Sequence, residues 1–106
     1  MNVRLYGLLV ERARNRGHVF YSKTGPGSRG ASGRELEEIS KAEVAAGRPM
    51  LSVLVVDKAT GRPNAGFLPL AIRLGRATKS ESEAAVVKRE TRLVYETWEP
   101  AVDRFV

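Results

Sequence analysis

The sequence predicts a single α+β domain whose elements follow the order helix, strand, helix, hairpin, helix, helix. A chain of 106 residues is enough for one hydrophobic core and too short for two. Apolar residues recur at helical spacing in several stretches, and short apolar runs rich in β-branched residues lie between them. We therefore treat residues 1–106 as one small domain.

A first helix is predicted over residues 3–16, because its apolar side chains recur at helical spacing. These side chains are Leu5, Leu8, Leu9 and Ala13. Asn2 is placed to cap the start of this helix, and Gly17 is placed to end it. The run 18–22 contains valine, phenylalanine and tyrosine, which predicts a short strand.

A glycine-rich loop, residues 24–33, separates this strand from a second helix. Ser32 and Glu35 have the spacing of a capping box at the start of that helix. Its apolar side is formed by Leu36, Ile39 and Val44, and Gly47 is expected to end it.

Residues 50–56 form the most apolar run of the chain, which predicts a buried central strand. Residues 57–61 have the composition of a turn, and residues 62–66 are expected to return as an irregular edge strand because Pro63 cannot donate a ladder hydrogen bond. These segments together predict the hairpin.

Two further helices complete the domain. The first spans residues 67–74, with Pro69 in its first turn. The second spans about residues 81–98, because Ser80 and Glu83 form another capping box. Its predicted apolar face consists of Ala84, Val87, Thr91, Val94 and Trp98.

The net charge of +6 resides entirely in the first third of the chain. Residues 1–34 contain seven cations and one anion, and the remainder contains eleven of each. The seven cations are Arg4, Arg12, Arg14, Arg16, Lys23, Arg29 and Arg34. Such segregation indicates a surface for a polyanion, most often DNA or RNA.

The stretch from Gly25 to Gly30 matches the pattern G-x-G-x-x-G, and a loop of this kind presents backbone N–H groups to phosphate. The chain is too short for a doubly wound dinucleotide fold, and Pro26 removes one donor. Contact with a nucleic-acid backbone and a plain connection are therefore the main alternatives to nucleotide binding.

Two segments, ISKAEVAAGRPMLSVLVV (39–56) and TGRPNAGF (60–67), carry a resemblance to a known pattern. They resemble a small family of uncharacterised bacterial and phage proteins with the pattern I-x-x-x-E-x-x-x-G-R-P-L-L-S-x-V-V-V, then T-G-x-P-G-x-G-F. The chain departs from it at Met50 and Asn64. The family has no established activity, so the resemblance implies a folded unit and no particular chemistry.

The predicted order of elements is also similar to a winged helix-turn-helix, as in alkylguanine-DNA alkyltransferase-like proteins. This similarity implies DNA binding, with the hairpin around Lys58 and Arg62 as the wing. Alkyl transfer is excluded because the chain has no cysteine, so the reactive Pro-Cys-His-Arg element is missing. The glycine loop replaces the middle helix of the motif, which alters the geometry for reading a groove.

The candidate catalytic residues are His18, Glu43 and Arg48. Glu43 lies near the apolar face of the second helix, where a carboxylate needs a partner, and Arg48 is the expected one. The alternative is a nuclease in which Glu43 acts as a general base or metal ligand near His18 or Ser52.

The leading hypothesis is a non-enzymatic nucleic-acid-binding module that contacts phosphates through helix 1 and the basic loop. A small nuclease of toxin or phage-defence type is the alternative, and only this alternative involves a cofactor, Mg²⁺. A further alternative is a phage or bacterial adaptor that binds an acidic protein surface. No secretory signal or membrane span is expected, which predicts a cytoplasmic protein. A homodimer through the last helix is a further expectation.

Overall fold

The computed structural model describes residues 1–20 and 33–100. This part of the chain is an α+β domain, as predicted from the sequence. In chain order its elements are α1 (Val3–Arg14), β1 (Val19–Phe20), α2 (Gly33–Ala45), a 3₁₀ helix (Leu51–Leu54), β2 (Val55–Val56), α3 (Phe67–Arg73) and α4 (Glu83–Trp98). None of these helices has the length and apolar content required to span a membrane.

The N-terminal cap of α1 agrees with the prediction, and its C-terminal end differs from it. The side-chain oxygen of Asn2 accepts a hydrogen bond from the Leu5 amide at 2.9 Å, so the predicted cap is confirmed. At the other end, Arg16 has a positive φ of 54°, and the Gly17 amide donates to the Arg12 carbonyl at 2.8 Å. The left-handed position is therefore Arg16 and not the glycine that follows it.

The second helix ends as the sequence predicts. Gly47 has a φ of 80°, a conformation that glycine adopts without the steric cost of a Cβ atom. The predicted cap at Ser32, the end of the first predicted strand and almost all of the glycine-rich loop lie outside the described residues.

The prediction of one continuous strand over residues 50–56 is wrong. Leu51–Leu54 form a 3₁₀ helix, and only Val55–Val56 are extended. The 3₁₀ helix packs against α1, α2 and α4, and its side chains are all buried. A 3₁₀ helix directs successive side chains to different sides, which suits a segment surrounded by helices. An apolar run by itself does not distinguish this arrangement from a buried strand.

The predicted hairpin is absent from the described structure. β2 pairs with β1 in parallel, with Val19 opposite Val55 and Phe20 opposite Val56. Residues 62–66 form no strand, since Pro63 is buried without an amide to donate and the Asn64 side chain accepts from the Gly66 amide at 2.9 Å. The described part of the chain therefore has no hairpin that corresponds to the wing of a winged helix-turn-helix.

The buried face of α4 also differs from the predicted one. Val86, Glu90 and Val94 are fully buried, whereas Ala84 is exposed. Ser82 caps the helix by accepting from the Ala85 amide at 3.2 Å, so the predicted cap at residue 80 is displaced by two residues. The buried face contains a carboxylate, and a search for apolar side chains alone does not detect it.

Candidate nucleic-acid interface

The described cations fall into two groups, those held by carboxylates and those without an ion pair. Eight described cations form ion pairs with carboxylates of the same chain: Arg12, Arg16, Lys41, Arg48, Arg73, Arg76, Arg89 and Arg92. Within residues 1–20 and 33–100, the exposed cations without an ion pair are Arg4, Arg14, Arg34, Lys58, Arg62, Lys79 and Lys88. Five of these seven belong to the set predicted to contact nucleic acid.

Helix α1 positions the first part of this set. Arg4, Gly7, Glu11 and Arg14 share its exposed side, because Leu5 and its neighbours at helical spacing face the core. Arg4 and Arg14 are ten residues apart, which corresponds to roughly 15 Å along a helix axis. Two unpaired guanidinium groups therefore bracket one exposed helix face.

The other two cations of this region are engaged by weak surface contacts. Arg12 pairs with Glu11 at 3.0 Å. Arg16 lies 3.6 Å from a Glu99 carboxylate oxygen, and its guanidinium carbon is 5.6 Å from the centre of the Tyr95 ring. Exposed pairs of this kind contribute about 0–1 kcal/mol, so phosphate can compete for both arginines.

The parallel pairing of β1 and β2 positions the second part of the set. Because the strands run in the same direction, the chain leaves both at one edge of the sheet, after Phe20 and Val56, and the turn bearing Lys58 and Arg62 follows Val56 there. Arg34 lies in the first turn of α2, where the loop ends. Lys23 and Arg29 belong to the loop and lie outside the described residues.

Glu43 is fully buried, and both of its carboxylate oxygens are engaged. One oxygen accepts from Arg48 Nε at 2.7 Å, and the other accepts from Arg48 Nη2 at 3.0 Å and from Tyr6 Oη at 2.7 Å. The predicted partnership of Glu43 with Arg48 is confirmed. The hydrogen bond to Glu43 raises the pKa of Arg48, and burial raises the pKa of Tyr6, with a further contribution from Glu43.

His18 belongs to a different cluster. Its ring lies edge-on to Tyr95 with centroids 6.2 Å apart, and Nδ1 is 3.5 Å from the Tyr95 hydroxyl, which donates to the Gly17 carbonyl at 3.0 Å. Partial desolvation in this contact lowers the pKa of His18. Among the described residues, no hydrogen bond, ion pair or ring contact joins His18 to Glu43 or Arg48.

The other expected neighbour of Glu43 is also occupied. The Ser52 hydroxyl hydrogen-bonds with the Ser40 hydroxyl at 2.7 Å. The described part of the chain contains no cluster of three or more His, Asp or Glu side chains that could hold a metal ion. The nuclease candidates are therefore not assembled into one site: Glu43 and Arg48 lie together, and His18 lies elsewhere.

Sequence reasoning missed a second buried carboxylate. Glu90 is fully buried, accepts from Arg76 Nε and Nη2 at 2.9 Å each, and accepts from the Met50 amide at 3.2 Å. Val86, Glu90 and Val94 recur every four residues, so Glu90 lies in the middle of an apolar stripe. This spacing is the signal that identifies it in the sequence.

Comparison with protein-family models, with curated proteins and with solved structures gives no significant match for this chain.

Proposed function

We propose that this protein is a nucleic-acid-binding module that contacts the phosphate backbone from α1 and from the edge where β1 and β2 end. One observation carries the proposal. The half-buried Arg48, Arg76 and Arg89 are held by carboxylates, while Arg4, Arg14, Arg34, Lys58 and Arg62 are exposed and have no ion pair in the described part of the chain. Unpaired cations gain most from phosphate because no existing contact has to be broken.

Binding of this kind follows from counterion release and gives affinity with little sequence preference. Surface charges farther apart than roughly 8 Å are largely screened at physiological salt, so the position of each cation matters more than the total charge. The protein would act in the cytoplasm, where DNA and RNA are both accessible to it in a bacterial cell.

The test compares two variants that each lose two unpaired cations. The first variant is Arg4→Ala/Arg14→Ala, and the second is Lys79→Ala/Lys88→Ala, in which Lys88 lies on the exposed side of α4. Fluorescence anisotropy with duplex DNA, single-stranded DNA and RNA at several salt concentrations measures binding. We expect the arginine variant to lose affinity for all sequences and to reduce the salt slope by about 1.8 on duplex and about 1.4 on single strands.

The lysine variant should retain the affinity and slope of the unmodified protein. Equal effects of the two variants would mean that only total charge matters, and an unchanged arginine variant would reject the proposed surface. Denaturing gels of the same samples, with and without Mg²⁺, test the nuclease alternative, in which product formation should disappear in His18→Ala or Glu43→Gln. If the protein binds no nucleic acid, the remaining alternative is an adaptor that binds an acidic surface of another protein.

A further inference from the structure

An open groove of about 330 Å³ lies between α1 and the end of α4. It is lined by Tyr6, Gly7, Val10, Glu11, Arg14 and Trp98. This volume falls within the range of about 300–1,000 Å³ that is typical of small-molecule sites. The groove combines apolar and aromatic walls with an unpaired guanidinium group at its rim.

Gly7 has no packing role within the described structure. It lies inside α1, where glycine costs about 1 kcal/mol relative to alanine, yet a Cβ atom built on it would meet nothing within 4 Å. The absence of a side chain instead deepens the groove and exposes the helix backbone. This is the arrangement expected where a flat group must approach the helix closely.

The aromatic walls are held in place by the buried ion pair. Tyr6 is fixed by its hydrogen bond to Glu43, and its ring lies edge-on to Trp98 with centroids 6.4 Å apart. The Arg48 guanidinium carbon lies 5.6 Å from the centre of the Trp98 ring. Glu43 and Arg48 therefore act as supports that orient both aromatic side chains toward a preformed groove.

The charged side chains at the rim of the groove indicate an anionic ligand. Arg14 lines the groove and has no ion pair with any residue that the structure describes, whereas the carboxylate of Glu11 is engaged by Arg12. The indole nitrogen of Trp98 is shielded from solvent, so a ligand in the groove meets the ring of Trp98 and not its N–H group. A flat group attached to an anion fits the aromatic walls and the guanidinium group of Arg14.

We propose that this groove receives one unstacked base of a single-stranded nucleic acid, while Arg14 binds the adjacent phosphate. The proposal rests on the function proposed above and narrows it to single strands. Stacking of bases on aromatic side chains is the usual way in which proteins hold single strands, whereas bases within a duplex are stacked on each other and are not available.

Trp98 is the only tryptophan of the chain, so its fluorescence reports on this groove alone. Short single-stranded DNA and RNA oligonucleotides and a duplex of the same sequence are titrated into the full-length protein. We expect both single strands, or one of them, to quench Trp98 with a defined stoichiometry, and the duplex to bind without comparable quenching. Equal quenching by duplex would overturn the proposal.

Gly7→Leu fills the groove without endangering the helix, because leucine is a better helix former than glycine. We expect it to weaken single-strand binding about tenfold or more and to abolish the quenching, with duplex binding unchanged. Ala84→Leu is the matched control, because it adds a leucine at an exposed position in the first turn of α4 that does not line the groove. It should retain both binding and quenching.

The outcomes separate this proposal from the one on which it rests. Full binding and quenching by Gly7→Leu would reject the groove as a base site while leaving phosphate binding intact. Absence of binding to any nucleic acid would reject both proposals. A third outcome is that Trp98 fluorescence changes with protein concentration in the absence of nucleic acid, and that Gly7→Leu removes this dependence. That result would assign the groove to a second copy of the chain and overturn the proposal.

Discussion

The buried pair between Glu90 and Arg76 allows a prediction whose magnitude follows from its geometry. Glu90 is fully buried, whereas the Arg76 side chain is 27% exposed, so most of the desolvation cost falls on the carboxylate. Arg76→Met would keep the apolar stem and leave the carboxylate with the Met50 amide as its remaining described donor. Removing one partner of a buried pair costs about 3–5 kcal/mol.

We expect the lower end of that range, about 3 kcal/mol, because water can reach the rim where Arg76 is exposed. At roughly 4 °C per kcal/mol for a domain of this size, the melting temperature should fall by about 12 °C. Urea unfolding followed by circular dichroism at pH 7 measures the loss of unfolding free energy.

Two controls test the reasoning. Arg92→Met removes an exposed arginine that lies 3.8 Å from Glu96 on the same helix, and it should cost less than about 1 kcal/mol. Arg76→Met/Glu90→Met replaces both charges with apolar groups and should recover most of the lost stability. A deficit in Arg76→Met below about 1 kcal/mol, or one that Arg76→Met/Glu90→Met does not reduce, would refute the account of a charge left unpaired in the core.

Two smaller perturbations also have a predicted sign. Gly47→Ala should destabilise the fold by roughly 1–2 kcal/mol, because φ is 80° at this position. Gly7→Ala should instead stabilise it by about 1 kcal/mol, because alanine is the better helix former and its Cβ atom meets no neighbour. Urea unfolding measures both changes, and a change of the same sign in the two variants would contradict the backbone argument. Desolvation lowers the pKa of His18 below its unfolded value of about 6.5, so the unfolded chain binds more protons and stability should fall as pH decreases from about 7 to 5. An NMR titration of the only imidazole should give a midpoint below about 6.5, and His18→Gln should remove this part of the pH dependence.

Much of the helical framework follows from local features of the sequence. Asn2 caps α1, Gly47 ends α2, and Glu43 pairs with an arginine five residues further along the chain. Each of these features involves residues close in sequence, where propensity and capping geometry act directly. The concentration of positive charge before residue 35 is likewise a property of composition and requires no structure.

Other features depend on contacts between distant segments. The run 50–56 is apolar in any conformation, and its 3₁₀ helix forms because α1, α2 and α4 surround it. Val55 pairs in parallel with Val19 from a distant part of the chain, and residues 62–66 form no strand beside it. Local sequence patterns do not specify which distant element packs against a segment or pairs with a strand.

The sequence by itself determined the α+β class, most helix positions, the pairing of Glu43 with Arg48 and the presence of a basic first third. The tertiary structure alone decided which cations remain unpaired, that Glu90 is buried against Arg76, and that Gly7 and Trp98 meet in one groove. The reason is that an ion pair or a groove wall depends on distances between residues such as Gly7 and Trp98, which are ninety-one positions apart. Propensity acts along the chain, whereas burial and charge pairing act through space.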